Sequence, residues 1–285
     1  MPFYPADKFT LSFELFPPKT AAAEEAMYEN VRELMSFRPD VITCTYGAGG
    51  STRDKTLEIT QQVRQRFGVR VASHLTCVGS TVDQLRGYLG EARARGIDSI
   101  VALRGDPPKG ETAFRPVEGG LRYANELVAV IRAEFPQFGM AVAGYPETHQ
   151  EAVSAEADLE NLVRKVTSGA DCIITQLFYD NADFFRFREE CRRRGIRVPI
   201  IPGILPVTNL AQIQRITSMC KARLPLDLVG RLAEREDADW QFQAGIEFAR
   251  SQVQELIEAG VPGIHFYVLN KSQATAEVLG AVKLP

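Results

Sequence analysis

Long apolar runs are missing from this sequence, and so is a secretion signal. No stretch is long enough to cross a bilayer, and the N-terminal MPFYPADKFT has no apolar core of the signal-peptide kind. An excess of one charge is also missing, since 33 lysines and arginines face 36 aspartates and glutamates. The sequence therefore predicts a cytoplasmic protein with neither a membrane partner nor a nucleic-acid partner.

Paired cysteines and clustered histidines are missing as well. The five cysteines are an odd number without C-x-x-C spacing, and His74, His149 and His265 lie far apart in the chain. This pattern predicts reduced thiols and no metal site. The sequence has neither a G-x-S-x-G elbow nor a Walker-type loop, which argues against serine hydrolases and P-loop nucleotidases.

The sequence does contain a strict alternation of short apolar runs and amphipathic stretches. The apolar runs predict strands at 11–16, 41–46, 71–76, 99–104, 140–145, 172–178, 199–204 and 263–269. The amphipathic stretches predict helices at 23–36, 53–67, 81–96, 120–134, 155–169, 181–195 and 208–219. Alternation of this kind is typical of a parallel sheet covered by helices.

We therefore predict an α/β fold, a single (β/α)8 TIM barrel over residues 1–285 with two extra helices between strands seven and eight. A doubly wound open sheet is the alternative. It usually carries a G-x-G-x-x-G turn after its first strand, where this sequence has FPPK.

Glu14 is the most distinctive candidate at the carboxyl ends of the predicted strands, where barrel enzymes place their sites. This carboxylate stands within SFELF and has few polar neighbours in sequence. Desolvation is expected to raise its pKa and suit it to general acid catalysis. The alternative is a structural ion pair with Arg104 or Lys19.

Other polar residues at this rim have two interpretations each. Asp106 could orient a ligand or cap a loop. His74 is more typical of a satisfied core histidine than of a ligand contact, and Gln176 is a buried amide whose partner is either a ligand or a strand backbone.

The predicted fifth helix carries a polar cluster. Asp158, Asn161 and Lys165 share one face, and Arg164 lies beside them. The cluster forms either a solvated helix face or a contact for a phosphate.

Nine segments, spread from Leu11 to about Leu279, resemble the methylenetetrahydrofolate reductase family in order and spacing. They are SFELFPPK, TYGAGGSTRD, HLTC, IVALRGDPP, YPETH, ADLENLVRKV, ITQLFYD, IIPGILPV and HFYVLN. The resemblance implies non-covalently bound FAD in a barrel mouth, and a homo-oligomer. The chain ends soon after the predicted eighth strand, so we expect the short bacterial form without the regulatory domain of eukaryotic members.

The family's site positions carry over onto this sequence. Glu14 corresponds to the general acid, and Asp106 to a carboxylate near the flavin and the folate. The resemblance implies substrate contacts at Thr45, Gln176, Gln212 and Lys271. It implies FAD contacts at Tyr46, Ala48, His74, Arg104, Gly105, Asp106, Tyr123, Ala124, Tyr145, His149, Ala152, Asp158, Asn161, Arg164 and Lys165.

Two positions depart from the bacterial members of the family. Lys271 stands where they have arginine, which replaces a forked contact by a point charge. Ile216 stands where they have phenylalanine, which removes an aromatic stacking surface but keeps an apolar wall.

The resemblance also implies a reaction. NADH or NADPH reduces FAD and leaves, and 5,10-methylenetetrahydrofolate then binds in the same mouth and becomes 5-methyltetrahydrofolate. In this ping-pong scheme, protonation by Glu14 opens the imidazolidine ring. Two alternatives remain, namely another FAD-dependent barrel such as a proline dehydrogenase relative, and a folate-binding protein without redox chemistry.

Overall fold

The computed structural model describes residues 2–5, 7–46, 53–107, 110–111 and 113–285. Its strands are β1 (Thr10–Leu15), β2 (Val41–Cys44), β3 (Arg70–Thr76), β4 (Ser99–Leu103), β5 (Gly139–Gly144), β6 (Cys172–Thr175), β7 (Ile200–Ile201), β8 (Gly203–Ile204) and β9 (Gly263–Tyr267). Its helices are α1 (Ala21–Leu34), α2 (Arg53–Phe67), α3 (Val82–Ala94), α4 (Ala124–Glu134), α5 (Ala155–Thr167), α6 (Asn181–Arg193), α7 (Leu210–Cys220), α8 (Leu226–Ala233), α9 (Ala238–Glu258) and α10 (Gln273–Ala281).

The strands form a parallel barrel, which confirms the predicted fold. Their order is β7-β6-β5-β4-β3-β2-β1-β9-β8, and every pair is parallel. β7 pairs with β6 and β8 pairs with β9, so these two pieces are halves of one barrel strand that closes the sheet. The predicted strand 199–204 is therefore broken at Pro202, because proline has no N–H to donate to a ladder.

Other boundaries differ from the sequence prediction for physical reasons. The predicted sixth strand continued to Phe178, but the ladder ends at Thr175, and Leu177 and Phe178 are buried by side-chain packing without strand pairing. Helix α4 begins at Ala124 instead of near residue 120, since Tyr123 has extended backbone and occupies the N-cap. The two extra helices are present as α8 and α9, and α10 was not predicted. Among the described residues, no helix combines the length and apolarity needed to cross a bilayer.

The N-terminal segment fills the barrel interior from below. Phe3 is fully buried, Tyr4 is 5% exposed, and both pack against inward-facing strand residues such as Val41, Val101 and Ile174. A larger apolar core lies between the sheet and the surrounding helices. The lower half of the barrel is thus packed solid, as barrels of this kind usually are, and the upper half is left for ligands.

The close packing where the barrel closes predicts that a side chain at Gly203 would strongly destabilise the protein. A Cβ added there would meet the Thr175 carbonyl oxygen and lie 2.8 Å from the Tyr267 hydroxyl. We expect Gly203→Ala to destabilise the protein by about 3 kcal/mol, the upper range for overpacking. The free energy of urea unfolding measures this. Gly230→Ala in α8 has open space around its Cβ, so this control should gain about 0.5–1 kcal/mol. Equal effects at the two glycines would contradict the prediction.

Candidate active site

A cavity of about 600 Å³ opens at the carboxyl ends of the strands. The barrel thus brings together most of the predicted site residues, although they come from many separate elements. Those that line it are Glu14, Thr45, Tyr46, His74, Arg104, Gly105, Asp106, Tyr123, Ala124, Tyr145, His149, Ala152, Asp158, Asn161, Lys165 and Gln176.

Four predicted residues are not placed at this cavity. Arg164 points to solvent, with 61% of its side chain exposed, because one residue turns an α-helix by about 100° away from Lys165. Gln212 does not line the cavity, and its side chain accepts a hydrogen bond from Thr208 at 2.6 Å. Lys271 does not line the cavity either and is exposed to solvent. Ala48 lies outside the described residues.

Two histidines converge on one oxygen of Glu14. The Oε2 atom lies 3.3 Å from His74 Nε2 and 3.4 Å from His265 Nε2, and 17% of the Glu14 side chain is exposed to the cavity. The His265 contact is a hydrogen bond, whereas His74 approaches off the hydrogen-bond direction and acts through its charge. Among the described residues, no hydrogen-bond partner holds the second oxygen, Oε1, which leaves it available to a ligand.

The predicted rise in the pKa of Glu14 is wrong. Burial does raise this pKa, but the charge of His74 and the hydrogen bond of His265 outweigh burial, and the pKa falls to about 2. Glu14 is therefore ionised in the ligand-free protein. The alternative ion pair is wrong too, because the Arg104 guanidinium binds the Glu151 carboxylate through two bonds of 2.9 and 2.7 Å, and Lys19 is exposed.

The wall formed by β5 and α5 carries a half-buried lysine, Lys165. Lys165 Nζ donates to the Ala143 carbonyl and lies 5.8 Å from the Tyr145 ring centroid. Burial lowers the pKa of this lysine to about 8, although Asp158 opposes the effect. The Asp158 carboxylate in turn accepts from the His149 backbone N–H at 2.9 Å. This face of α5 is thus part of the cavity wall.

The neighbouring part of the rim is built from the loop after β4, the strand that pairs with β5. Gly105 has φ +90°, and a Cβ there would lie 2.8 Å from Val78, so only glycine fits this turn without strain. Asp106 follows it, is exposed at the rim and has no hydrogen-bond partner within the described part of the chain. Its carboxylate is therefore available to a ligand.

Several lining residues were missed from the sequence, among them Thr76, Glu151, Met219, Cys220 and Tyr267. Tyr267 donates to the Thr175 carbonyl at 2.7 Å and stands beside Glu14 in the ladder. It could have been found, because it follows His265 by two residues on a strand and thus shares its inward face. Met219 and Cys220, at the end of α7, could not be found in this way, because their position depends on how the helix packs against the barrel.

Comparison with known proteins agrees with the fold. The family model described as "Methylenetetrahydrofolate reductase" matches residues 3–283. A solved Clostridium thermocellum protein, described as binding two copies of 5-methyl-5,6,7,8-tetrahydrofolic acid, superposes with a TM-score of 0.62 at 14% identity. That alignment covers 95% of this chain and 93% of the other, and at this identity it shows the fold alone.

The sequence relatives carry reductase names. The 5,10-methylenetetrahydrofolate reductase of Escherichia coli is 40% identical over 93% of this chain and 88% of that protein. "Methylenetetrahydrofolate reductase (NADH) 1" of Arabidopsis thaliana is 39% identical over 94% of this chain, which spans about half of the plant protein, 47%. On these matches, the chain belongs to the methylenetetrahydrofolate reductase family.

Proposed function

We propose that this protein reduces 5,10-methylenetetrahydrofolate to 5-methyltetrahydrofolate, with FAD as the bound cofactor and NADH or NADPH as the reductant. The observation that carries the proposal is the position of Glu14 within the barrel-mouth cavity. Its carboxylate is backed by two imidazoles and keeps one oxygen free toward the cavity. A proton can therefore be held next to a bound substrate.

The residues of the cavity fit a flavin dinucleotide. Within the described chain, Thr76 Oγ1 is buried without a hydrogen-bond partner, and His74 Nε2 has only its misdirected contact with Glu14. Such atoms are costly unless a ligand or water satisfies them. The Lys165 ammonium suits a diphosphate as a point charge, and Arg104, whose guanidinium is engaged by Glu151, would have to exchange that partner to contact one. The polar face of α5 that Lys165 shares with Asp158 and Asn161 suits the adenosine part.

A bound flavin would supply the hydride-transfer chemistry that amino-acid side chains lack. The protein's contribution is orientation, charge and a proton. Asp106, which is exposed at the rim and lines the cavity, would supply a negative charge to a bound flavin or folate. The Gln176 Oε1 accepts from the Leu177 backbone N–H at 2.9 Å, which fixes the amide with its NH₂ group available to a substrate.

Proton delivery must begin from an ionised Glu14. With a pKa near 2, this carboxylate does not hold a proton by itself at neutral pH. Only an imidazolium has a proton to spare, and one at Nε2 of His74 would lie within 3.3 Å of Oε2 and leave a neutral imidazole after transfer. We infer that the carboxylate and its histidines work as one unit, in which a proton moves to Glu14 as the substrate nitrogen becomes basic.

A single cavity supports the proposal that the reaction follows a ping-pong order. The nicotinamide and the pterin would both have to reach a bound flavin, and the barrel offers them one mouth, with Thr45, Gln176 and Tyr267 on its wall. The two substrates would therefore bind in turn and not together.

Rapid-mixing spectroscopy of the purified protein tests this proposal. We expect a yellow protein whose flavin absorbance is lost on anaerobic mixing with NADH and restored by 5,10-methylenetetrahydrofolate. A colourless protein that takes up no FAD would favour a folate-binding protein without redox chemistry. A yellow protein reduced by an amino acid such as proline, and not reoxidised by the folate, would favour the other flavin barrel.

A further inference from the structure

A chain of hydrogen bonds runs from the packed lower half of the barrel to Glu14. Tyr4 Oη lies 2.7 Å from Ser12 Oγ, and Ser12 Oγ lies 2.8 Å from His265 Nδ1. His265 Nε2 then reaches Glu14 Oε2 at 3.4 Å. Tyr4 is 5% exposed, and Ser12 and His265 are fully buried, so water does not compete for these bonds.

The hydrogen atoms in this chain can be placed by elimination. The Tyr4 hydroxyl has no other hydrogen-bond partner among the described residues, so its single hydrogen goes to Ser12 Oγ. Ser12, which already accepts from Tyr4, then donates its own hydrogen to His265 Nδ1. A neutral imidazole that accepts at Nδ1 carries its proton on Nε2. That proton points at Glu14.

We propose that Tyr4 is a positioning residue for Glu14: its hydroxyl, through Ser12, fixes His265 in the Nε2–H tautomer. The histidine then donates to Oε2 and leaves Oε1 turned toward the cavity. The expected effect of Tyr4 on catalysis rests on the proposed reductase reaction, whereas the expected tautomer of His265 does not. Tyr4 thereby connects the N-terminal segment, which lies outside the barrel strands, to the acid at the opposite end of the barrel.

The packing around Tyr4 allows its positioning role to be tested separately from a purely structural role. Its ring fills the barrel together with Phe3, and Arg70 Nη2 anchors the segment by donating to the Pro2 carbonyl at 2.9 Å. A phenylalanine at position 4 keeps the ring and this anchor. Only the hydroxyl group is lost, and with it the hydrogen bond that orients Ser12.

The test uses ¹⁵N-histidine-labelled protein, in which NMR distinguishes the two tautomers of each of the three histidines. His74→Gln and His265→Gln variants assign the signals. We expect Nε2–H for His265 in the wild type and a mixture of tautomers in Tyr4→Phe. In stopped flow, Tyr4→Phe should slow flavin reoxidation by the folate about fivefold, the loss of one net hydrogen bond, and leave flavin reduction by NADH unchanged.

Two further variants make the result decisive. Ser12→Ala breaks the chain at its next link and should shift the His265 tautomer in the same direction. Tyr28→Phe removes another buried phenol, bonded to Glu24 at 3.1 Å, and should change neither readout. An Nδ1–H tautomer in the wild type, or an unshifted tautomer in Tyr4→Phe, overturns the proposal. If the protein lacks reductase activity, the proposed function fails, yet the tautomer measurement still decides the role of Tyr4.

Discussion

Replacing Glu14 by glutamine should abolish the folate half of the reaction and spare the nicotinamide half. Glutamine keeps the size of the side chain but cannot carry the transferable proton. Only the folate step needs a proton at a substrate nitrogen, because NADH reduces a flavin by hydride transfer alone. We therefore expect near-normal flavin reduction in stopped flow, and reoxidation by 5,10-methylenetetrahydrofolate slowed by about 10²–10⁴, the usual contribution of a general acid.

A structural role for Glu14 predicts a different result. Two imidazoles lie within 3.4 Å of its carboxylate, and if the carboxylate only held them in place, Glu14→Gln would impair both half-reactions or release the flavin. Glu24→Gln is a matched control, because Glu24 pairs with Lys55 at 2.7 Å on the outside of the barrel. It should leave both half-reactions unchanged. Equal damage to the two halves in Glu14→Gln, or normal folate reduction, would remove Glu14 from the role of acid.

The barrel itself could be predicted from the sequence, because its signals are local. Apolar runs followed by amphipathic stretches indicate strand–helix units, and the positions of β1 to β6 and β9 were found within a few residues. The break at Pro202 was missed, because the surrounding apolar run hid the effect of a proline without an N–H. Helix α10 was missed because it is short and no side chain caps its start at Ser272.

The electrostatics of the site could not be predicted, because they depend on contacts between distant parts of the chain. His265 is separated from Glu14 by 251 positions, and only barrel closure brings β9 beside β1. Within SFELF alone, desolvation is the visible effect, so the direction of the pKa shift was predicted wrongly. The α5 face was easier, since helical spacing alone placed Asp158, Asn161 and Lys165 together.

Neutralising Lys165 should weaken FAD binding strongly, whereas truncating its neighbour Arg164 should not. Lys165→Met keeps the length and the apolar stem of the side chain but removes the ammonium. A charge-assisted hydrogen bond contributes about 1.5–3 kcal/mol, so we expect FAD affinity to fall by about ten- to a hundredfold. Arg164→Ala is the matched control, because Arg164 is exposed and bonds to Asn161 at 2.8 Å. Titration with FAD, followed by flavin fluorescence, measures both.

FAD affinity should also depend on pH, and the pKa of Lys165 determines the direction of this dependence. Burial lowers the pKa of Lys165 to about 8 in the free protein, and a bound diphosphate would favour the ammonium and raise that pKa. Above pH 8, the free protein must therefore take up a proton when FAD binds, and affinity should fall as pH rises, by at most about tenfold per unit.

Below pH 8, the half-buried ammonium of Lys165 opposes folding, because the unfolded chain solvates it better. Lys165→Met should consequently raise the thermal stability of the FAD-free protein at pH 7 while it lowers FAD affinity and removes the pH dependence. These opposite changes are not expected of a lysine with a purely structural role. An Arg164→Ala variant as damaged as Lys165→Met, or a pH dependence that persists in Lys165→Met, would show that the diphosphate binds elsewhere.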